Sequence, residues 1–342
     1  MGRGQRCDFS RRLLYTVGVS IPELTYALPD AEKPAPAPED VQARLLAWFA
    51  AHGRDLPWRR TRDPYEILVA EMMLQQTGVE RVLPKWQAWL DTFPTLEALA
   101  AAPRGEVIRL WSGLGYNSRA VRLQEIARQA VERYGGRLPD TAEALRELKG
   151  IGPYTAGAVL CFAYERDVAF IDTNVRRVLT RVFVGAEGTY TPLTESAASE
   201  LAERVLPRGQ SWAWHQALMD LGATVCVDGK PACLVCPLQE PCRAAFQAGR
   251  VAREGRAAYK APRKEGPWQS STRYYRGRIV EALRALAPGE RIPLAELVAR
   301  VKPDATDDES ALLRDLAARL AADGLAALHE TTGTDLYVAL PE

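Results

Sequence analysis

The stretch LVAEMMLQQTG at residues 68–78 sets one carboxylate, Glu71, in an apolar run, with two amides and a hydroxyl directly behind it. An ionised carboxylate loses its hydration in such a setting. The flanking Val69, Ala70, Met72, Met73 and Leu74 therefore raise the pKa of any carboxyl they bury. A second acid, Asp172 in AFIDTNVRRVLTR, precedes an amphipathic pattern and can cap its helix by accepting a backbone N–H.

Two further clusters carry chemistry. Cys226, Cys233, Cys236 and Cys242 follow the spacing C-x6-C-x2-C-x5-C. Four thiolates so close together can close around one metal centre, and soft sulfur selects zinc or an iron–sulfur cluster, between which spacing does not choose. In LKGIGPYTAGAVLCFAY, Gly150 and Gly152 form a tight turn before an apolar helix. Free amides at such a helix start suit an anion, a DNA phosphate among them, although a plain helix–helix turn would read the same way.

These residues need elements to hold them. From about residue 39 to 242 the helical period dominates and strand-length alternation is missing, so this part is expected to be all-α. A first helix is expected after a cap at Asp40, ending at Gly53, and helical pattern over 104–134 closes at Gly135-Gly136. Residues 1–38 read as a tail and 243–272 as a basic linker. Residues 273–342 carry three helical patterns and a hairpin turning near Thr332-Gly333, a small winged-helix-like α+β module. Charged residues make up 25% and the formal net charge is +1, so a nucleic-acid surface must be local. No apolar run approaches the roughly 18 residues needed to span a bilayer, and the segment Arg11–Leu24 lacks the pattern of a signal peptide.

Several of these motifs in order resemble one family. The cysteine run and the hairpin resemble the endonuclease III-like helix–hairpin–helix superfamily. GRDLPWR at 53–59, EMMLQQT at 71–77, GLGYNSR at 113–119, Tyr154, Asp172 with Asn174, and WHQALMDLGATVC at 214–226 resemble its MutY-type adenine DNA glycosylases. The resemblance spans about residues 40–245. It implies a two-lobed, mainly α fold, with a six-helix lobe over about 64–170 and a cluster lobe from 39–63 and 171–242. The cysteines would then hold a [4Fe–4S] cluster, with Lys230 and Arg243 offering phosphate contacts beside it.

The resemblance also assigns roles. Glu71 would protonate adenine at N7 and help activate water, while ionised Asp172 supports the cationic sugar. Gln76 and Tyr116 match wedge positions that fill the duplex after base extrusion. Gln216 matches a contact to the adenine edge, where an amide can pair with N6 and N7 together. Arg54, Trp58 and Arg59 match the adenine pocket, although Trp58 is equally readable as a core aromatic. Tyr154 stands where strand-cutting relatives carry a Schiff-base lysine, which implies a monofunctional enzyme.

The implied substrate is double-stranded DNA with adenine opposite 8-oxoguanine or guanine. A monomer with no membrane association and a cytoplasmic, nucleoid-associated location are expected. Two features depart from the family: Thr173 replaces a usual glycine, and residues 273–342 are too few and too helical for the usual Nudix-like domain. That module could contact DNA through Arg273, Arg276 and Arg278, or dock a protein partner. The competing readings are a thymine/uracil mismatch glycosylase and a non-catalytic, cluster-bearing DNA-binding protein.

Overall fold

A computed structural model describes residues 34–186, 192–247, 271–330 and 336–342. Helix α1 (Pro38–His52) starts earlier than expected, because Pro38 takes the first helical turn, where its missing N–H costs nothing. Asp40 therefore lies inside that turn instead of capping it. Helix α2 (Pro64–Leu74) is capped by Asp63, whose Oδ1 accepts from the N–H groups of Tyr65 and Glu66 at 2.7 and 3.2 Å.

Every residue of α2 from Ile67 to Met73 is buried. A helix apolar on all faces must lie inside a bundle. Helices α3 (Val79–Thr92), α6 (Ser118–Tyr134) and α8 (Pro153–Phe162) pack around it. The long helical pattern expected from 104 divides into α5 (Arg104–Leu110) and α6, separated by a turn where Gly113 and Gly115 have φ of 86° and 71°. Helix α6 ends on left-handed Gly135, as the Gly-Gly pair suggested.

Two apolar cores divide the helical region. One runs from Leu56 to Phe170 around α2. The other gathers α1, α9 (Thr173–Phe183), α10 (Glu195–Arg204) and α11 (Ser211–Thr224) near the cysteines. Leu56 and Trp58, expected with the cluster lobe, belong to the first core, where Trp58 meets Trp86 edge-on at 6.1 Å. The region expected to begin a linker at residue 243 is still part of the packed lobe: the N–H groups of Arg243 and Ala244 donate to the carbonyls of Val182 and Arg181, and Ala244 is buried. Residues 248–270, with most of the basic linker, and residues 1–33, with most of the tail, lie outside the described residues.

The C-terminal module has helices α12 (Thr272–Arg284), α13 (Leu294–Val301) and α14 (Asp307–Ala322). Strands β2 (Ala327–Glu330) and β3 (Leu336–Ala339) pair antiparallel, and Thr332-Gly333 falls outside the described residues between them. A third strand, β1 (Ile292–Pro293), gives the order β1-β3-β2; two residues are too short to show periodicity in sequence. Ile108 of α5 is part of this module's core, with Ile279, Leu283 and Val338. The module is thus joined to the glycosylase-like region by shared apolar packing. Among the described residues no helix is long and apolar enough to cross a membrane.

The turn between α7 (Ala142–Glu147) and α8 depends on Gly150, whose φ of 121° is closed to side chains, and a Cβ there would lie 2.5 Å from Cγ of Arg122. Gly150→Ala is expected to cost about 1–3 kcal/mol, read as a lower unfolding midpoint in denaturant.

Candidate active site

Glu71 occupies the last full turn of α2 and is 6% exposed. Its pKa is raised to about 7: burial is the largest cause and Asp172 adds to it, while the Tyr154 hydrogen bond and Arg59 oppose the shift. The Tyr154 hydroxyl donates to Glu71 Oε2 at 2.7 Å. Burial, with the charges of Glu71 and Asp172, holds that phenol well above its ordinary value, so it remains a donor. Tyr154 sits one residue inside α8, directly behind the Gly150–Gly152 turn. The structure therefore joins hairpin and acid through Tyr154, which the sequence places in the family motif and among the substrate-binding residues without showing its bond to Glu71.

The Tyr154 ring packs edge-on against Phe170 at 5.6 Å, and Phe170 stacks on His215 at 3.9 Å. His215 Nδ1 faces the Ser211 carbonyl at 2.9 Å and Nε2 accepts from the Phe170 N–H at 3.3 Å. A carbonyl can only accept, so the proton is on Nδ1. Burial lowers the imidazole pKa to about 4, which keeps it neutral. His215 was quoted within a motif without a role; it holds the aromatic wall behind Tyr154.

Asp172 caps α9, its Oδ1 accepting from the Val175 N–H at 2.6 Å. Oδ2 accepts from Asn174 Nδ2 at 2.9 Å, and Asn174 Oδ1 accepts from Arg177 at 2.8 Å. Thr173, the departure from the family pattern, is simply the first residue of this helix. Arg177 continues to the carbonyls of Gly222 and Cys226, at 2.7 and 2.9 Å. Buried Arg181 donates to the carbonyls of Val227 and Asp228, at 2.7 and 2.8 Å. One helix thus ties Asp172 to the cysteine loop. All four cysteines line a single apolar pocket with Val178, Val182 and Leu221. Among the described residues no three metal-binding side chains draw together around a single ion.

Arg54 and Arg59 converge on Asp220, which is 1% exposed and was not singled out from sequence. Burial alone would raise this carboxyl, but hydrogen bonds and charge from Arg59 and Arg54 win and hold its pKa below the ordinary value. Its signal lay in WHQALMDLG, as an acid in an apolar helix whose nearest Lys or Arg in sequence, Lys230, is ten residues away. Arg59 Nε also donates to Gln216 Oε1 at 2.7 Å. One lone pair of the Gln216 oxygen is thus engaged by a group that only donates, leaving its second lone pair and Nε2 for any contact to a base edge. Trp58 is a core residue, 7% exposed.

Gln76 and Tyr116 both adopt left-handed backbone, with φ of 56° and 44°, and non-glycine residues do so only when surroundings enforce it. Buried Arg119 enforces it. Its Nη1 donates to the carbonyls of Met72, Met73 and Gln75 at 2.9, 2.8 and 2.5 Å. Its Nη2 donates to Thr77 Oγ1, Leu114 O and Gly115 O at 2.9, 3.1 and 3.1 Å. A cation there satisfies orphan carbonyls at the C-terminus of α2 and knots the two loops together. Arg119 closes GLGYNSR, yet nothing in the sequence shows what it reaches. The expected surface cations divide: Arg276 pairs with Asp323 at 2.5 Å, whereas Arg273 and Arg278 are exposed.

A reaction that needs protonated Glu71 should slow as pH rises through about 7. The Tyr154 hydrogen bond favours the carboxylate, so Tyr154→Phe should move this alkaline limb to higher pH. A pH–rate profile of single-turnover base release checks both; a limb moving to lower pH would contradict the assigned sign.

A family model described as the HhH-GPD superfamily base excision DNA repair protein matches residues 69–204. An adenine DNA glycosylase of Mycolicibacterium smegmatis is 43% identical over 244 residues, covering 70% of this chain and 79% of that protein. One from Rattus norvegicus is 43% identical over 216 residues, covering 60% of this chain and 42% of that protein, so the chain spans about two-fifths of the longer mammalian relative. The solved structure of a thermostable thymine-DNA glycosylase is 33% identical with a TM-score of 0.58, covering 62% of this chain and 97% of that one. With these likenesses falling on the elements that carry Glu71, Tyr154 and Asp172, the chain belongs to the MutY-type adenine DNA glycosylases of the HhH-GPD superfamily of base excision repair proteins.

Proposed function

We propose that this protein removes adenine mispaired with 8-oxoguanine or guanine from double-stranded DNA, by hydrolysing the N-glycosidic bond without cutting the strand. The observation that carries this reading is Glu71: a buried carboxyl with pKa raised to about 7, hydrogen-bonded to a tyrosine and coupled to a second carboxylate. Adenine is a poor leaving group as an anion. Proton transfer from Glu71 to N7 lets it leave neutral. Asp172, turned by Val175 N–H and Asn174, offers negative charge to the cation developing at C1′. Water then adds its oxygen to C1′ and returns a proton to Glu71, which restores the acid. No imine forms, because Tyr154 occupies the lysine position and is engaged with Glu71.

The base must leave the stack to reach this site. Gln76 and Tyr116, held outward by Arg119, suit a wedge, and the amides of the Gly150–Gly152 turn suit a backbone phosphate. Gln216, with one lone pair of its oxygen held by Arg59, offers Nε2 and the remaining lone pair to the base edge. The chemistry of the four-cysteine pocket fits an iron–sulfur cluster, since four soft thiol donors line one space. Cys226, Cys233, Cys236 and Cys242 would hold it as a brace of the loop that Arg177 and Arg181 bind.

A panel of A:8-oxoguanine, A:G and T:G duplexes tests the base. Adenine release is expected from the first two, with no borohydride-trapped covalent adduct, and release of thymine alone would overturn the reading. Glu71→Gln should slow release by about a hundredfold to ten-thousandfold while duplex binding persists. Purified protein should be brown with about four irons per chain; colourless protein with one zinc would refute the cluster.

A further inference from the structure

Tyr116 is a large side chain left 42% exposed on a left-handed backbone. Two guanidiniums lie over its ring, one from Arg119 at 5.6 Å and one from Arg273 at 5.3 Å. Their situations are opposite. Arg119 is buried and spends its donors on the loop carbonyls. Arg273 is exposed, and among the described residues no hydrogen bond or ion pair engages its guanidinium.

Arg273 does not come from the glycosylase-like region. It opens α12 of the C-terminal module, and the other end of that helix is also fixed to the Tyr116 loop. Arg284 Nη2 donates to Asn117 Oδ1 and its Nε to the Ile108 carbonyl, both at 2.9 Å. Arg109 returns the contact by donating to the Leu286 carbonyl at 3.0 Å. Arg273 and Arg284 are eleven residues apart, about three helical turns, so both lie on the same side of α12. An exposed aromatic flanked by an uncommitted cation is a stacking platform with a phosphate contact beside it.

We propose that α12 is part of the DNA-reading surface: Arg273 contacts a backbone phosphate beside the base on which Tyr116 stacks, and Arg284 positions the Tyr116 loop through Asn117. This rests on the nucleic-acid reading of the site given above. It singles out Arg273 among the module's exposed arginines as a DNA-contact residue and makes Arg284 a positioning residue.

The test measures binding of the full chain to a duplex carrying a tetrahydrofuran abasic analogue, across a salt series. Arg273→Ala should weaken binding several-fold and reduce the slope of log affinity against log salt by about one. Arg273→Lys should restore that slope but only part of the affinity, because lysine keeps the charge and loses the planar stack. Arg284→Ala should weaken binding with the slope unchanged. Arg273→Ala combined with Tyr116→Ala should lose less than the two effects summed. Wild-type affinity and slope in Arg273→Ala, or strict additivity with Tyr116→Ala, would overturn the proposal; Arg273→Gln gives the same readout if the alanine variant folds poorly. The abasic analogue requires no base excision. Normal adenine release with an unchanged salt slope therefore sinks only the role of Arg273, whereas absent adenine release with the slope effect intact sinks the adenine reading instead.

Discussion

A carboxyl inside a helix bundle must be neutral or be given a cation, and Glu71 is given a phenol. Helix α2 is buried on every face, so the acid on it cannot turn to solvent. The Tyr154 hydrogen bond orients the group without supplying a positive charge, and desolvation keeps the proton in place near neutral pH. Two neighbours reinforce that imbalance, against the opposing pull of Arg59. Asp172 adds negative charge, and neutral His215 stands behind the aromatic wall where an imidazolium would have opposed it.

Asp220 shows what the alternative looks like in the same molecule. It is as desolvated as Glu71, yet two arginines hydrogen-bond to it and its proton is driven off. Because Arg54 and Arg59 are committed there, their charge is spent close to the acid without neutralising it. Arg59 also engages the oxygen of Gln216. Arg59 still pulls the Glu71 pKa down, but burial outweighs it, so one arrangement of charge ionises Asp220 and leaves Glu71 with a raised pKa.

A second constraint is the C-terminus of α2. Its carbonyls have no helical partners, and Arg119 satisfies them from the start of α6 while gripping the loop that carries Tyr116. The C-terminal module adds its own arginines to the far side of that loop and takes Ile108 into its core. The position of the Tyr116 loop is thus set from two directions, by a buried cation of one domain and by a helix of the other.

The sequence by itself determined the helical character of residues 39–242, the two candidate carboxyls and the four-thiol set, because these depend on residue types and short spacings. The placement of α2 was legible too, since a run with no polar face can only be interior. It could not show the division of 104–134 into two helices, since the loop between them keeps apolar residues, nor strand β1, which is too short to carry a period. The partners were decided only by tertiary structure. Tyr154 and Glu71 are 83 residues apart, Arg59 and Asp220 161, and Arg284 and Asn117 167. Charge, hydrogen bonding and burial act through distance in space, so whether an acid keeps its proton, which atom of an amide is free, and which module holds a loop are settled only when the chain brings those groups within reach.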